Sequence, residues 1–328
     1  MNMRRLKDWI AAIAIGIMIP AFLFSVADKL LLPKKIHQDD FPTEETISRQ
    51  EDAGDSNLIP VLLVDGTCAY MEMDMYLTGV VLAEMPADFE MEALKAQAVV
   101  ARTYALKCAL QGSKHADGAV CVQASCCQAY RTKDDYLASG GNSAAVEKVE
   151  CAVMATSGQI LTFEGELIEA TYFSCSGGRT EEAAAVWGTE VPYLQAVDSP
   201  GEENAKYFFD IVSFSAAEFA DALDLAPTTE PSDWFSNTVY TTGGGVDTIC
   251  ICGEVFKGTD LRKKLSLRST AFTISVIDEV ITVTTKGYGH RVGMSQYGAD
   301  AMALSGKTYI QILEHYYPGT ILETYLQN

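Results

Sequence analysis

Four metal-binding side chains crowd into HADGAVCVQASCCQAY, residues 115–130. His115, Cys121, Cys126 and Cys127 follow the spacing H-x5-C-x4-C-C, and one imidazole with three thiolates is a donor set that zinc takes tetrahedrally. Four protein ligands fill the shell and leave no position for water or substrate, so zinc held this way is structural rather than catalytic. Spacing alone leaves a second reading level with it, a disulfide from Cys121 beside an incidental histidine. Six further cysteines are scattered, and their pairings cannot be read from sequence.

Three other stretches carry groups suited to chemistry. Glu84 sits in GVVLAEMP, an apolar surround at a helix end broken by Pro86. A carboxyl partly desolvated there has a raised pKa and suits a general acid. A solvated helix-end glutamate fits the same residues, since most glutamates are exposed. YFSCSGGRTEE (172–182) ends a strand in serines and a Gly-Gly turn, able to aim hydroxyls and backbone N–H groups into a cleft or simply to turn the chain. It lacks the GxSxG pattern and a paired base, which makes it weak as a nucleophile motif. GYGHRVGMSQYGA (287–299) spaces glycines so that backbone can approach a ligand, with Tyr288, His290, Ser295, Gln296 and Tyr297 as hydrogen-bonding and stacking groups for sugars.

The elements that must position these groups mix helix and strand without regular alternation, which predicts an α+β fold. Residues 59–65 read as a strand and 74–86 as a helical stretch with Asp74 as cap and its end forced at Pro86. The longest helix runs through 88–112, from Asp88 as cap to Gly112 as stop, with Lys95 and Arg102 seven apart on one face. A further helix is expected over 141–156. Strands follow at 159–165, 167–175 and 271–287, and two helical pieces lie within 295–319. Residues 226–247 are rich in breakers and read as irregular.

The N-terminus differs from the rest. Residues 1–8 are basic, and WIAAIAIGIMIPAFLFSV (9–26) has no charge over eighteen residues, near the lower limit for a membrane-spanning helix. Arg4, Arg5 and Lys7 place residues 1–8 in the cytoplasm by the positive-inside rule. We read 9–32 as an anchor, a cleaved signal peptide being the rival, and 33–57 as a disordered acidic linker. The working domain is then 58–328, outside the cytoplasm on a single-pass membrane protein. The formal charge of -20, with 24 basic against 44 acidic residues, argues against nucleic acid as a partner.

Three segments in order, 79–106, 172–200 and 287–320, closely resemble the stage II sporulation protein D family, and the likeness extends over the chain from about residue 58. The resemblance implies a membrane-anchored lytic transglycosylase of sporulation, cleaving peptidoglycan glycan strands between N-acetylmuramic acid and N-acetylglucosamine during forespore engulfment. It implies strands already denuded of stem peptides as substrate, with an amidase and a membrane scaffold protein of the engulfment complex as partners. It places the catalytic role on Glu84 and substrate contacts on Lys95, Gln97, Arg102, Tyr104, Ser174, Ser176, Thr180, His290, Ser295, Gln296 and Tyr297. Structural zinc falls on His115, Cys121 and Cys127, with Cys126 at a position often held by histidine. No cofactor is needed for catalysis. Arg291 stands where glycine is common and is expected to alter one edge of the groove. Ordinary glycosidases use two carboxylates; a lytic transglycosylase manages with one, and only Glu84 stands out. A non-catalytic glycan-binding scaffold and a zinc-dependent amidase are the alternatives.

Overall fold

The computed structural model describes residues 57–325. The cytoplasmic segment, anchor and linker expected over 1–8, 9–32 and 33–57 lie, but for Asn57, outside those residues. Among the described residues no helix is long and apolar enough to cross a membrane. The fold is mixed α+β, with the strands in several small sheets.

Strand β1 (Leu58–Leu62) lies between antiparallel β2 (Cys68–Glu72) and parallel β3 (Val120–Cys121). Helix α1 (Met73–Glu84) follows β2 directly. Its cap is Glu72, whose carboxylate accepts the Met75 N–H at 2.7 Å, and not Asp74. The helix stops at Glu84 because Pro86 disfavours helical geometry before it, and Met85 is extended at φ -122°. Helix α2 (Met91–Gln111) begins after Glu90, without a side-chain cap, and stops at Gly112, whose φ of 91° is left-handed. Asp88 lies outside it.

Helix α2 is the centre of this part of the molecule. Its Ala93, Ala96, Ala98, Ala101 and Ala105 are all buried, and side chains this small let neighbours approach closely. After α3 (Lys133–Ala138) comes α4 (Ser143–Ala155), capped by Asn142. Strand β4 (Gln159–Phe163) pairs with β5 (Glu166–Leu167) and with the late strand β14 (Ile321–Thr324). Strand β6 (Tyr172–Phe173) pairs in parallel with β13 (Met294–Ser295), which joins the two halves of the chain. Helices α8 (Gln296–Leu304) and α9 (Tyr309–Tyr316) close the fold, and both pack on α2, as do α1, α4 and β4.

Between α5 (Ala183–Trp187) and β13, residues 209–286 build a core of their own. It uses β7 (Phe209–Ser215), α6 (Ala216–Leu223), β8 (Phe235–Tyr240), β9 (Val246–Ile251), β10 (Glu254–Lys257), α7 (Gly258–Lys264), β11 (Phe272–Ile277) and β12 (Val280–Lys286). Phe219, Trp234, Ile251, Leu261 and Ile281 are buried at its centre. Two expectations change here. Residues 226–247 are not irregular throughout, because TTGGG is the connection of the β8–β9 hairpin. The stretch 271–287 is a hairpin and not one strand, turning at Asp278 and Glu279 with φ of 48° and 64°. Two consecutive left-handed residues suit the turn that right-twisted strands prefer.

Lys95 and Arg102 end in different surroundings. Lys95 Nζ meets Glu92 at 2.6 Å and lies 5.7 Å from the Tyr309 ring, tying α2 to α9. Arg102 is buried, pairs with Asp74 at 2.9 Å, and donates to the carbonyls of Thr156 and Gln159 at 2.7 and 3.3 Å. It thus fastens α1, α2 and the end of α4 together. Truncating one partner of a buried pair leaves a charge uncompensated. We expect Arg102→Met to lower stability by about 3 kcal/mol, read as an earlier urea midpoint; an unchanged midpoint would refute this role.

Candidate active site and metal centre

Glu84 is the last residue of α1, where the chain cannot continue as helix. Its Oε1 accepts the Ala129 N–H at 2.6 Å. Burial raises the carboxyl's pKa above the usual glutamate value, opposed by the Ala129 N–H and by the Tyr172 and Gln296 side chains. Gln296 Nε2 is buried with no hydrogen-bond partner among the described residues, and the Tyr172 hydroxyl accepts from Gln128 Nε2 at 3.1 Å. Gln128 Oε1 in turn accepts from the Tyr76 hydroxyl at 3.1 Å. One buried carboxamide therefore spaces two phenols around the acid. Tyr130 stacks on Tyr76 at 5.7 Å and 8°, packing the same loop onto α1.

That loop is the tail of the cysteine cluster. His115, Cys121, Cys126 and Cys127 bring their ligand atoms within 4.8 Å of one another, and Cys126 Sγ lies 3.3 Å from His115 Nε2. Tetrahedral zinc needs ligand atoms roughly 3.4–3.8 Å apart, so this donor set fits zinc with both adjacent cysteines included. All nine cysteines are free thiols. Lys114 Nζ donates to the Cys126 carbonyl, and Tyr104 lies against Cys127 and Cys108. A zinc bound here would supply cross-linking between the end of α2, β3 and the 123–127 turn. Gln128 and Ala129, which follow Cys127 directly, are the residues that reach Glu84 and its phenols.

The serine-glycine turn and the C-terminal loop meet as one body. Cys175 N–H donates to the Tyr288 carbonyl at 3.2 Å, Tyr288 N–H returns the bond at 2.7 Å, and Glu181 N–H donates to the Arg291 carbonyl at 2.6 Å. Behind them lies Glu202, 1% exposed. Its Oε2 accepts from Ser176 N and Oγ, both at 2.8 Å, from Gly177 N at 2.9 Å and from Cys175 Sγ at 3.2 Å. Its Oε1 accepts from Ser199 Oγ at 2.6 Å and Ser295 Oγ at 2.5 Å. A side chain at Gly298 would overlap Ser199 Oγ and the Tyr316 hydroxyl, and its Cβ would lie 2.6 Å from Glu202 Oε1. Only glycine leaves this carboxylate its room.

Arg291 is buried and does not lie at the groove's rim. Its φ of 67° is left-handed, which explains why glycine suits the position. Its side chain turns inward, pairing with Glu181 at 3.2 Å and donating to the carbonyls of Ser176, Arg179 and Gly243 at 2.7–2.8 Å.

The structure brings Gln296 to Glu84, and the next residue, Tyr297, sets its ring edge-on to Phe89 at 4.9 Å. Ser174 is half-buried, with its carbonyl engaged by Tyr297 N–H at 3.0 Å. His290 packs between Phe173 and Trp187, at 5.6 and 5.5 Å, and burial with the nearby Arg262 charge lowers its pKa to about 4, so it is neutral at physiological pH. Ser176, Ser295 and Thr180 face inward: the first two bind Glu202, and Thr180 Oγ1 accepts from Val197 N–H at 2.8 Å. Gln97 is fully buried on α2 with both side-chain polar atoms unpaired among the described residues. Sequence reading does not single out Gln128, Tyr172 or Glu202. Gln128 adjoins the ligand Cys127 and Tyr172 opens the serine motif, but Glu202 sits in an ordinary acidic turn.

A family model described as stage II sporulation protein matches residues 66–163, which hold Glu84, α2 and the four-donor cluster. Stage II sporulation protein D of Bacillus amyloliquefaciens is 40% identical over 251 residues, 75% of this chain and 73% of its own length. This chain belongs to the stage II sporulation protein D family. The Bacillus subtilis (strain 168) protein of that name is 40% identical over 252 residues, 76% of this chain and 73% of its own. A second relative from that strain, named amidase enhancer, is 30% identical over 308 residues, 76% of this chain and 40% of its own. Within this family the four-donor cluster is tested directly by metal titration. Zinc at about one hundred times its dissociation constant stabilises by about 2.7 kcal/mol, so the metal-free protein should gain roughly 5–10 °C in melting temperature. Cys121→Ser should abolish the gain.

Proposed function

We propose that the protein is a peptidoglycan lytic transglycosylase acting in sporulation, with Glu84 as its one catalytic carboxyl. The observation that carries this reading is the setting of Glu84: held by the Ala129 N–H, with its pKa raised by burial, and with no carboxylate among the described residues contributing to that shift. Hydrolytic glycosidases place two carboxyls roughly 5–9.5 Å apart across the sugar. One carboxyl suffices when the second nucleophile belongs to the substrate. Protonated Glu84 donates to the glycosidic oxygen as the C1–O bond breaks, leaving the N-acetylglucosamine 4-hydroxyl. The resulting carboxylate takes the proton of the muramyl C6 hydroxyl, whose oxygen closes onto C1 to give a 1,6-anhydro end. Tyr172 and Gln296 hold the carboxyl, while Tyr297, Ser174 and His290 line the sugar's side. Lys95, Gln97, Arg102, Tyr104, Ser176, Thr180 and Ser295 support that surface from within.

Zinc on His115, Cys121, Cys126 and Cys127 serves the loop and not the reaction, because four protein donors leave no open position. The family name supports sporulation as the process, and the relative named amidase enhancer supports an amidase as a partner that strips stem peptides from the strands. A membrane scaffold protein of the engulfment complex is the other partner. Residues 9–32 serve as the single-pass anchor, with the catalytic domain extracytoplasmic.

Denuded glycan incubated with this protein should yield anhydromuramyl ends by mass spectrometry, and Glu84→Gln should cut their rate by about 10³-fold; absence of such ends with the unaltered protein refutes the activity. The acid-competent fraction is the protonated one, so kcat/KM must fall as pH rises through the elevated Glu84 pKa. Tyr172→Phe removes a contact that lowers that pKa, and should move the falling limb to higher pH.

A further inference from the structure

A track of aromatic rings starts at Tyr297, next in the chain to the Gln296 that acts on Glu84, and cations gather along it. Tyr297 follows Gln296, and its phenol feels both Tyr207 and Lys206. Tyr207 lies edge-on to Tyr288 at 5.2 Å. The Arg268 guanidinium sits over both rings, 4.8 Å from the Tyr207 centroid and 5.5 Å from that of Tyr288. Lys206 lies over Tyr207 at 5.1 Å. Arg262 is near enough to Tyr288 and His290 to act on both electrostatically. Beyond His290 comes Trp187. Tyr288 and Trp187 are 42% and 46% exposed, large apolar faces open to solvent.

The charge balance of this strip is opposite to that of the chain. Arg268 Nε meets Asp210 at 3.2 Å, while Arg262 and Lys206 enter no ion pair among the described residues. In a protein with formal charge -20, cations left without carboxylates beside exposed rings call for an anionic ligand with apolar faces. A guanidinium stacked on an aromatic ring still presents its edge donors to a carboxylate. Two or three cations spread along the rings suit a sparse anion, not the dense phosphates of a nucleic acid.

We propose that Tyr207, Tyr288 and Trp187 with Lys206, Arg262 and Arg268 form an extended subsite for an acidic glycan, the rings stacking on pyranose faces and the cations taking the carboxylates carried by alternate sugars. This rests on the proposed function, under which the ligand is a denuded strand whose muramyl residues each bear a lactyl carboxylate. The subsite selects strands freed of stem peptides, since attaching the peptide converts that carboxylate to an amide.

The test uses the 328-residue chain carrying Glu84→Gln, so that strands are bound and not cut. Its affinity is measured for denuded strands and for the same strands with lactyl carboxylates converted to methyl amides. Charge-assisted pairs contribute about 1.5–3 kcal/mol, so the amidated strands should bind at least roughly tenfold more weakly. Adding Arg262→Gln should weaken the native strand alone and flatten the salt dependence. Lys206→Gln, on an exposed side chain, should do the same to a lesser degree if Arg262→Gln fails to fold. Equal binding of the two strand forms, or no binding of either, overturns the subsite, as does an arginine effect equal for both. Anhydro ends from the unaltered protein without carboxylate discrimination would sink the subsite and spare the enzyme; discrimination without anhydro ends would do the reverse.

Discussion

A buried carboxylate in no ion pair among the described residues organises the half of this molecule around the serine-glycine turn. Glu202 binds donors from residues 175–177, 199 and 295, and Ser199 in turn contacts the Tyr316 hydroxyl at 2.6 Å. A charge this deep is tolerable only when hydrogen bonds replace its water. Here six groups do so, and each is thereby fixed in place. Ser295 caps α8 by accepting the Gly298 N–H at 3.2 Å while donating to Glu202, so one interaction sets both the start of α8 and the turn before it. Gln296 and Tyr297 take their places from that start.

Glu84 approaches from the other side, and the cysteine loop holds it. The cluster that looks most like a reaction centre is joined to the acid by two residues of chain. Gln128 sets the phenols and Ala129 gives its N–H to the carboxylate. The four-donor cluster and Glu84 are thus mechanically continuous.

What sequence reveals and hides follows from distance along the chain. Helix α2 shows plainly because its small-residue periodicity and Gly112 are local signals, and Glu84 shows because Pro86 marks the helix end beside it. Helix starts are shifted by two residues, since Glu72 caps α1 in place of Asp74 and α2 begins after Glu90 with no side-chain cap at all. The β11–β12 turn is hidden because Asp278 and Glu279 take left-handed geometry without glycine or asparagine. Strand β8 is masked by the breakers that bound it. The donor set of the cysteine cluster is readable from spacing, although choosing metal over disulfide is not. Glu202 leaves no trace in sequence because its donors come from positions as far as 93 residues away. Arg102 matches a motif, yet only the fold shows that its partners are Asp74 and the carbonyls at the end of α4.

The Arg291–Glu181 pair sets side-chain charge against backbone comfort at one position. Arg291 occupies a left-handed backbone position at some strain, and its guanidinium is the cation facing an otherwise sealed Glu181. Glycine at 291 would relax the backbone but strand that carboxylate in the interior. Without the arginine, Glu181 would keep the Thr241 hydroxyl and the Gly245 N–H at 2.8 and 3.0 Å but no ion pair. Relaxed backbone and a neutralised interior charge are competing demands on one position, and here the second prevails.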